Sequence, residues 1–113
     1  MKKYIAAMAA AAGCLTTGYA FSEDGGETVN AAEIVTTVCA MCHGEDGNKM
    51  LTPETPKIGG QKADYLAKSL HDYKSGDRKN PIMAAVAAPL GKEAIEALAA
   101  YFAEQDSQLY TLK

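Results

Sequence analysis

One short motif, Cys39-Ala40-Met41-Cys42-His43, constrains this chain more than any other feature. Two cysteines three residues apart on a helical turn point the same way, so they can form thioether bonds along one edge of a haem. The histidine that follows is then carried beneath the iron and can ligate it. A covalent haem would help to supply an apolar centre, which a short chain builds poorly on its own. The motif therefore predicts a small domain wrapped around one haem.

Two alternative uses of the cysteine pair are a redox-active disulfide and a zinc site. Zinc would need two more ligands, and apart from acidic residues the sequence offers only His43 and His71, with no second cysteine pair. The adjacent histidine and the export signal described next favour haem.

Residues 1–20 have the three parts of a secretory signal peptide. Lys2 and Lys3 precede an apolar run over residues 4–15, and small residues occupy the −3 and −1 positions of a cut after Ala20. The apolar run is too short for a membrane-spanning helix, which needs about 20 residues. We therefore predict a periplasmic protein that is cleaved after Ala20.

Cys14 leaves a second possibility for the N-terminus. The run Ala-Ala-Gly-Cys at 11–14 weakly resembles a bacterial lipoprotein signal, although the residue three before the cysteine is Ala rather than a larger apolar one. Lipidation of Cys14 would produce a membrane-tethered protein, with the residues after it as a leash.

Cleavage after Ala20 would leave 93 residues, which we divide into a flexible acidic leader (21–29) and one domain (30–113). The cut removes Lys2 and Lys3 and leaves 9 basic and 14 acidic residues, a net charge of −5. An acidic chain of this kind does not attract nucleic acid. Its charge would instead steer it toward a basic surface on a protein partner.

Hydrophobic periodicity predicts helices and no strands. The first helix starts at Asn30, a good N-cap with Glu33 three residues later, and Gly44 ends it directly after the cysteine motif. The same criteria predict three further helical segments, over residues 62–75, 82–88 and 92–105. The predicted fold class is all-α.

A haem iron ligated by His43 needs a sixth ligand, and methionine opposite histidine suits electron transfer. Met83 lies forty residues beyond His43, in a proline-flanked stretch that can reach the far face of the haem. The other methionines fall in the signal segment, between the cysteines, or only seven residues past His43 (Met1, Met8, Met41 and Met50). The alternatives are that Met83 is only a core residue, or that His71 ligates the iron.

The loop over residues 44–61 contains four glycines and two prolines, and long loops in compact domains usually serve a function. A ligating imidazole needs an acceptor for its other ring N–H. Pro56 has no N–H of its own and offers a carbonyl group in a rigid turn. It is the candidate acceptor for His43.

These residues resemble the class I c-type cytochromes, in particular small bacterial monohaem members and single halves of dihaem relatives. The resemblance covers about residues 31–104 and is carried by the stretches 38–44, 56–61, 76–78, 81–83 and 97–102. It implies three main helices plus loops around one covalent haem, with the first and last helices crossing. It also implies haem attachment at Cys39 and Cys42, axial ligation by His43 and Met83, and a hydrogen bond from His43 to the Pro56 carbonyl.

An iron with both axial positions filled has no open site for a substrate. We therefore predict an electron-transfer protein, not an enzyme, that passes single electrons between redox proteins and needs no small-molecule substrate. Two alternatives remain open: a haem-bearing subunit of an exported oxidoreductase complex, and a peroxidase-like catalyst with an open iron.

Overall fold

The computed structural model describes residues 28–109 of the 113-residue chain. The predicted signal peptide, its cleavage site, Cys14 and most of the predicted leader lie outside the described residues. The described part is helical and contains no strand, as predicted. Its elements are α1 (Ala31–Ile34), a π-helical segment (Val35–Cys39), α2 (Ala40–His43), α3 (Ala63–Ser75), α4 (Pro81–Ala87) and α5 (Lys92–Ala103).

The first three of these elements form one continuous helix that begins where the sequence predicts. The Asn30 side chain caps it by accepting a hydrogen bond from the backbone N–H of Glu33, over 3.2 Å. At the other end Gly44 leaves the helix with a φ of 77°, a conformation that glycine adopts without a steric penalty. Capping and termination therefore follow from local chemistry.

The π-helical segment in the middle of this helix was not predicted. The N–H of Ala40 bonds to the carbonyl of Val35, five residues back, and the hydroxyls of Thr36 and Thr37 each bond to the carbonyl four residues before them, at 2.8 Å. Threonine hydroxyls that bond back to the helix tend to distort it. Within this segment Cys39 packs against the core, while its neighbour Val38 is 44% exposed.

The core lies where α5 packs against α1 and α3. Its fully buried large side chains are Val35 from the first helix and Ile95 and Leu98 from α5, each less than 2% exposed. Leu66, Leu90, Ala94, Ala99 and Phe102 complete the buried cluster. The packing of α1 on α5 brings the last helix against the helix that carries the cysteine motif.

Helix α3 ends at Gly76, which has a φ of 88°, and it contacts both α4 and α5. The short helix α4 starts with Pro81 in its first turn, after Asn80, whose side chain accepts hydrogen bonds from the N–H groups of Ile82 and Met83. None of the described helices is long and apolar enough to cross a membrane.

Candidate haem site

The cysteine motif lies at the end of the first helix. Cys42 and His43 belong to α2, and Cys39 is the last residue of the π-helical segment. Both cysteines are half-buried and free, and His43 is buried, with 8% of its surface exposed. One helix end therefore carries all three residues of the motif, and Gly44 turns the chain away directly after them.

The ring of His43 is held by the loop that follows it. Its Nδ1 atom lies 2.9 Å from the carbonyl oxygen of Pro56, within hydrogen-bond distance. When Nδ1–H donates to this carbonyl, Nε2 is the ring nitrogen left to bind a metal. Burial lowers the pKa of His43, partly opposed by the Pro56 carbonyl, and a lowered pKa favours the neutral imidazole that ligates metals.

Cys39 faces an apolar cavity of about 320 Å³ between the first helix and α4. Burial raises the pKa of the Cys39 thiol above its usual value, so the group is uncharged at neutral pH. The other residues that line the cavity carry no polar side chain: Ile34, Val38, Ala85, Val86, Pro89 and Leu90. A cysteine that lines an apolar cavity, four residues before a histidine on the same helix end, fits the attachment of a haem edge.

Met83 lies in the first turn of α4, two residues before the first cavity-lining residue of that helix, and its side chain is half-buried. It is not among the residues that line the cavity. The two competing methionines are far more open, with Met41 71% and Met50 47% exposed. His71 is exposed on α3, as expected of a surface histidine.

The structure thus joins His43 to Pro56 directly and brings Cys39 and α4 to one cavity. The axial role of Met83 stays a prediction, as do the haem-binding roles of Cys39, Cys42, His43 and Pro56. Among residues 28–109 no three His, Cys, Asp or Glu side chains come together in a cluster that could hold a metal ion.

Two contacts next to this site were not predicted from the sequence. Lys74 of α3 reaches the carboxyl end of α4, and Asn48 reaches the carbonyl of Asp106. The run Asp46-Gly47-Asn48 signals a turn, and a lysine near a helix end signals a possible capping role. Neither signal predicts which distant carbonyl group the side chain bonds to.

A helical domain in which a Cys-x-x-Cys-His motif ends the first helix, and in which Cys39 lines an apolar cavity next to α4, has the features of a c-type haem domain. The sequence profile of the cytochrome c family matches residues 28–106, and the chain belongs to this family. It is a class I c-type cytochrome similar to single halves of dihaem members, as the sequence predicted. The domain implies covalently bound haem c, and the family points to electron transfer rather than catalysis.

Three proteins with cytochrome-like names or functions are similar to this chain. The thiosulfate dehydrogenase electron acceptor of Stutzerimonas stutzeri is 41% identical over 73 residues, which make up 65% of this chain and 34% of that protein. Cytochrome c-554(548) of Halomonas halodenitrificans is 39% identical over 71 residues, or 60% of this chain and 84% of that protein. The crystal structure of reduced recombinant cytochrome c4 from Pseudomonas stutzeri matches with a TM-score of 0.57 and 40% identity, over 60% of this chain and 38% of that chain. The chain therefore spans little more than a third of two of these relatives.

Proposed function

We propose that this chain is a periplasmic carrier that holds one haem and moves one electron at a time between redox proteins. Cys39 and Cys42 would hold the haem through thioether bonds, and His43 and Met83 would ligate its iron. The bound iron would supply the one-electron couple. The protein's own contribution is to fix the ligands, to exclude water, and to leave no open position for a substrate.

The observation that carries this proposal is the hydrogen bond between Nδ1 of His43 and the Pro56 carbonyl. It fixes the orientation of the ring and leaves Nε2 for a metal. A purely structural role for this buried histidine would not account for the two free cysteines that lie within four residues of it on the same helix end. Together the cysteines would attach the haem, His43 would ligate its iron, and the Pro56 carbonyl would orient the His43 ring.

The redox partners are protein donors and acceptors, either membrane-bound or periplasmic. The relative from Stutzerimonas stutzeri is named as the electron acceptor of an oxidoreductase, which supports a role next to such an enzyme. Another relative, the cytochrome subunit of sulfide dehydrogenase of Chlorobaculum tepidum, is 36% identical over 75 residues and favours a second candidate: this chain could serve as a haem-bearing subunit within an exported oxidoreductase complex. Export with cleavage after Ala20, or tethering through Cys14, completes the proposal.

Intact mass of the protein purified from a periplasmic extract tests attachment and processing together. The expected mass is that of residues 21–113 plus one haem, retained after acid denaturation and extraction with organic solvent. Loss of the haem on extraction would contradict covalent attachment. A lipid-modified Cys14 at the N-terminus would replace the freely diffusing carrier with a tethered one.

Carbon monoxide binding to the reduced protein tests the ligand set. A carrier with both axial positions filled should bind carbon monoxide weakly, because a protein ligand must leave first. Rapid and stoichiometric binding would reveal an open iron and would favour an enzymatic role. Gel filtration of the native extract separates the free carrier from a subunit of a larger complex.

A further inference from the structure

The chain after α5 forms a C-terminal strap, residues 104–109, that crosses the two loop segments next to His43 and Pro56. The side-chain Nδ2 of Asn48 donates to the carbonyl oxygen of Asp106 over 2.9 Å. The ammonium group of Lys57 bonds to the side-chain oxygen of Gln108 over 3.3 Å. One residue of each flanking loop is thus bonded to the strap.

The same segments are in contact through their backbones. The N–H of Gly60 donates to the carbonyl of Phe102 over 2.8 Å, and the N–H of Ile58 donates to the carbonyl of Gly47 over 2.7 Å. A Cβ atom added to Gly60, whose φ is 73°, would overlap the Cβ of Ser107. No side chain therefore separates the loops from the strap at this point.

Both fastened segments connect directly to the candidate iron ligand. Asn48 is followed by Lys49, whose N–H donates to the carbonyl of His43 over 2.8 Å. Lys57 is preceded by Pro56, whose carbonyl bonds to Nδ1 of the same histidine. A shift of the strap would be transmitted to His43 from both directions.

We propose that Asn48 is a positioning residue: by fastening the loops to the strap, it holds the Pro56 carbonyl on Nδ1 of His43. The proposal rests on the proposed ligation of iron by His43. A hydrogen bond donated by Nδ1 raises the basicity of the ligating nitrogen, which stabilises the oxidised iron and lowers the reduction potential. Asn48 and the strap would thereby tune the potential through the Pro56 carbonyl and His43.

The surroundings of Asn48 indicate a specific rather than a general structural role. Its Oδ1 atom is buried and has no hydrogen-bond partner among residues 28–109. Burying a polar atom without a partner costs free energy, so this side chain is held in its position against that cost. Replacement by alanine removes that cost together with the Nδ2 bonds to the carbonyls of Asp46 and of the exposed residue Asp106. We expect Asn48→Ala to change the melting temperature little while it loosens the Pro56 loop.

The experiment compares the haem-loaded wild-type protein with Asn48→Ala and Gly60→Ala. It measures the midpoint potential and, by NMR, the solvent exchange of the His43 Nδ1 proton. Both variants should show a higher potential, and the proton should exchange about fivefold faster, the factor expected when one net hydrogen bond is lost. Asn30→Ala is the matched control, because it removes an asparagine cap from α1 without touching either loop.

An unchanged potential and exchange rate in Asn48→Ala would overturn the proposal, even if Gly60→Ala failed to fold. A lower melting temperature with an unchanged potential would overturn it too, because the residue would then only support the fold. Equal shifts in Asn30→Ala would likewise assign the effect to general destabilisation. Absence of covalent haem from the wild-type mass would instead contradict the proposed function.

Discussion

The ammonium group of Lys74 donates a hydrogen bond to the carbonyl oxygen of Ala88, 3.1 Å away. It bonds to the carbonyl oxygen of Leu90 as well. Ala88 is the C-cap of α4, so a side chain from α3 holds the carboxyl end of the helix that carries Met83. A positive charge at this position also offsets the negative end of the helix dipole.

Replacement of Lys74 by methionine should remove these bonds while keeping most of the apolar stem of the side chain. We expect the free energy of unfolding to fall by about 1 kcal/mol, because charged hydrogen bonds on a partly exposed group contribute about this much. Urea denaturation of the haem-loaded protein measures it. Lys68→Met is the control: Lys68 pairs with Asp72 on α3 but is exposed to solvent, which weakens the pair, so its loss should change the free energy of unfolding much less. Equal losses in the two variants would mean that Lys74 does not clamp α4.

Replacement of Met83 by alanine should remove the sixth ligand. The oxidised protein should then lose the weak red absorption band of sulfur-to-iron charge transfer, the potential should fall, and the reduced iron should bind carbon monoxide. Met50→Ala is the matched control, because Met50 is 47% exposed and lies in the loop after His43. A red band that persists in Met83→Ala but disappears in Met50→Ala would reverse the ligand assignment.

The helix boundaries were largely predictable from the sequence because local chemistry sets them. Asn30 and Gly44 bound the first helix, and Gly76, in a left-handed conformation, ends α3 directly after the predicted segment 62–75. The segment predicted over residues 82–88 is α4, Pro81–Ala87, and the one predicted over 92–105 is α5, Lys92–Ala103. Caps and glycines act within a few residues, so a single sequence contains their signal.

The remaining features depend on contacts that a local pattern does not encode. Asn48 bonds to a carbonyl 58 residues away, and Lys74 bonds to one 16 residues away. The π-helical segment arises inside a run that a regular α-helical period also fits, so no local pattern predicts it. Pro56 was a predictable partner of His43 because the chemistry of a ligating imidazole demands an acceptor.

Replacement of Leu98 by alanine tests the crossing of α5 with the first helix. Leu98 is 1% exposed and belongs to the same buried cluster as Val35, so the cavity left behind should lower the free energy of unfolding by about 3 kcal/mol. Leu109→Ala removes the same side chain from a position that is 39% exposed, and it should cost less than about 1 kcal/mol. Chemical denaturation at neutral pH compares them, and similar costs would contradict the packing of this core.

The carboxylate of Asp46 should make a pH-dependent contribution to stability. Its Oδ1 accepts a hydrogen bond from the backbone N–H of Asn48 over 2.9 Å, and this bond holds the pKa of Asp46 below its usual 3.8. Because the folded-state pKa is lowered, the stabilisation is fully present above the usual pKa and is lost as the pH falls through the folded value. Asp46→Asn keeps an acceptor of the same shape but does not titrate. We therefore expect the wild type to melt at a higher temperature than Asp46→Asn at pH 7, with the difference shrinking once the pH falls below 3.8. Thermal unfolding followed from pH 7 to pH 2.5 measures this difference in melting temperature. An equal difference at pH 7 and at pH 2.5 would show that the carboxylate charge does not stabilise the turn.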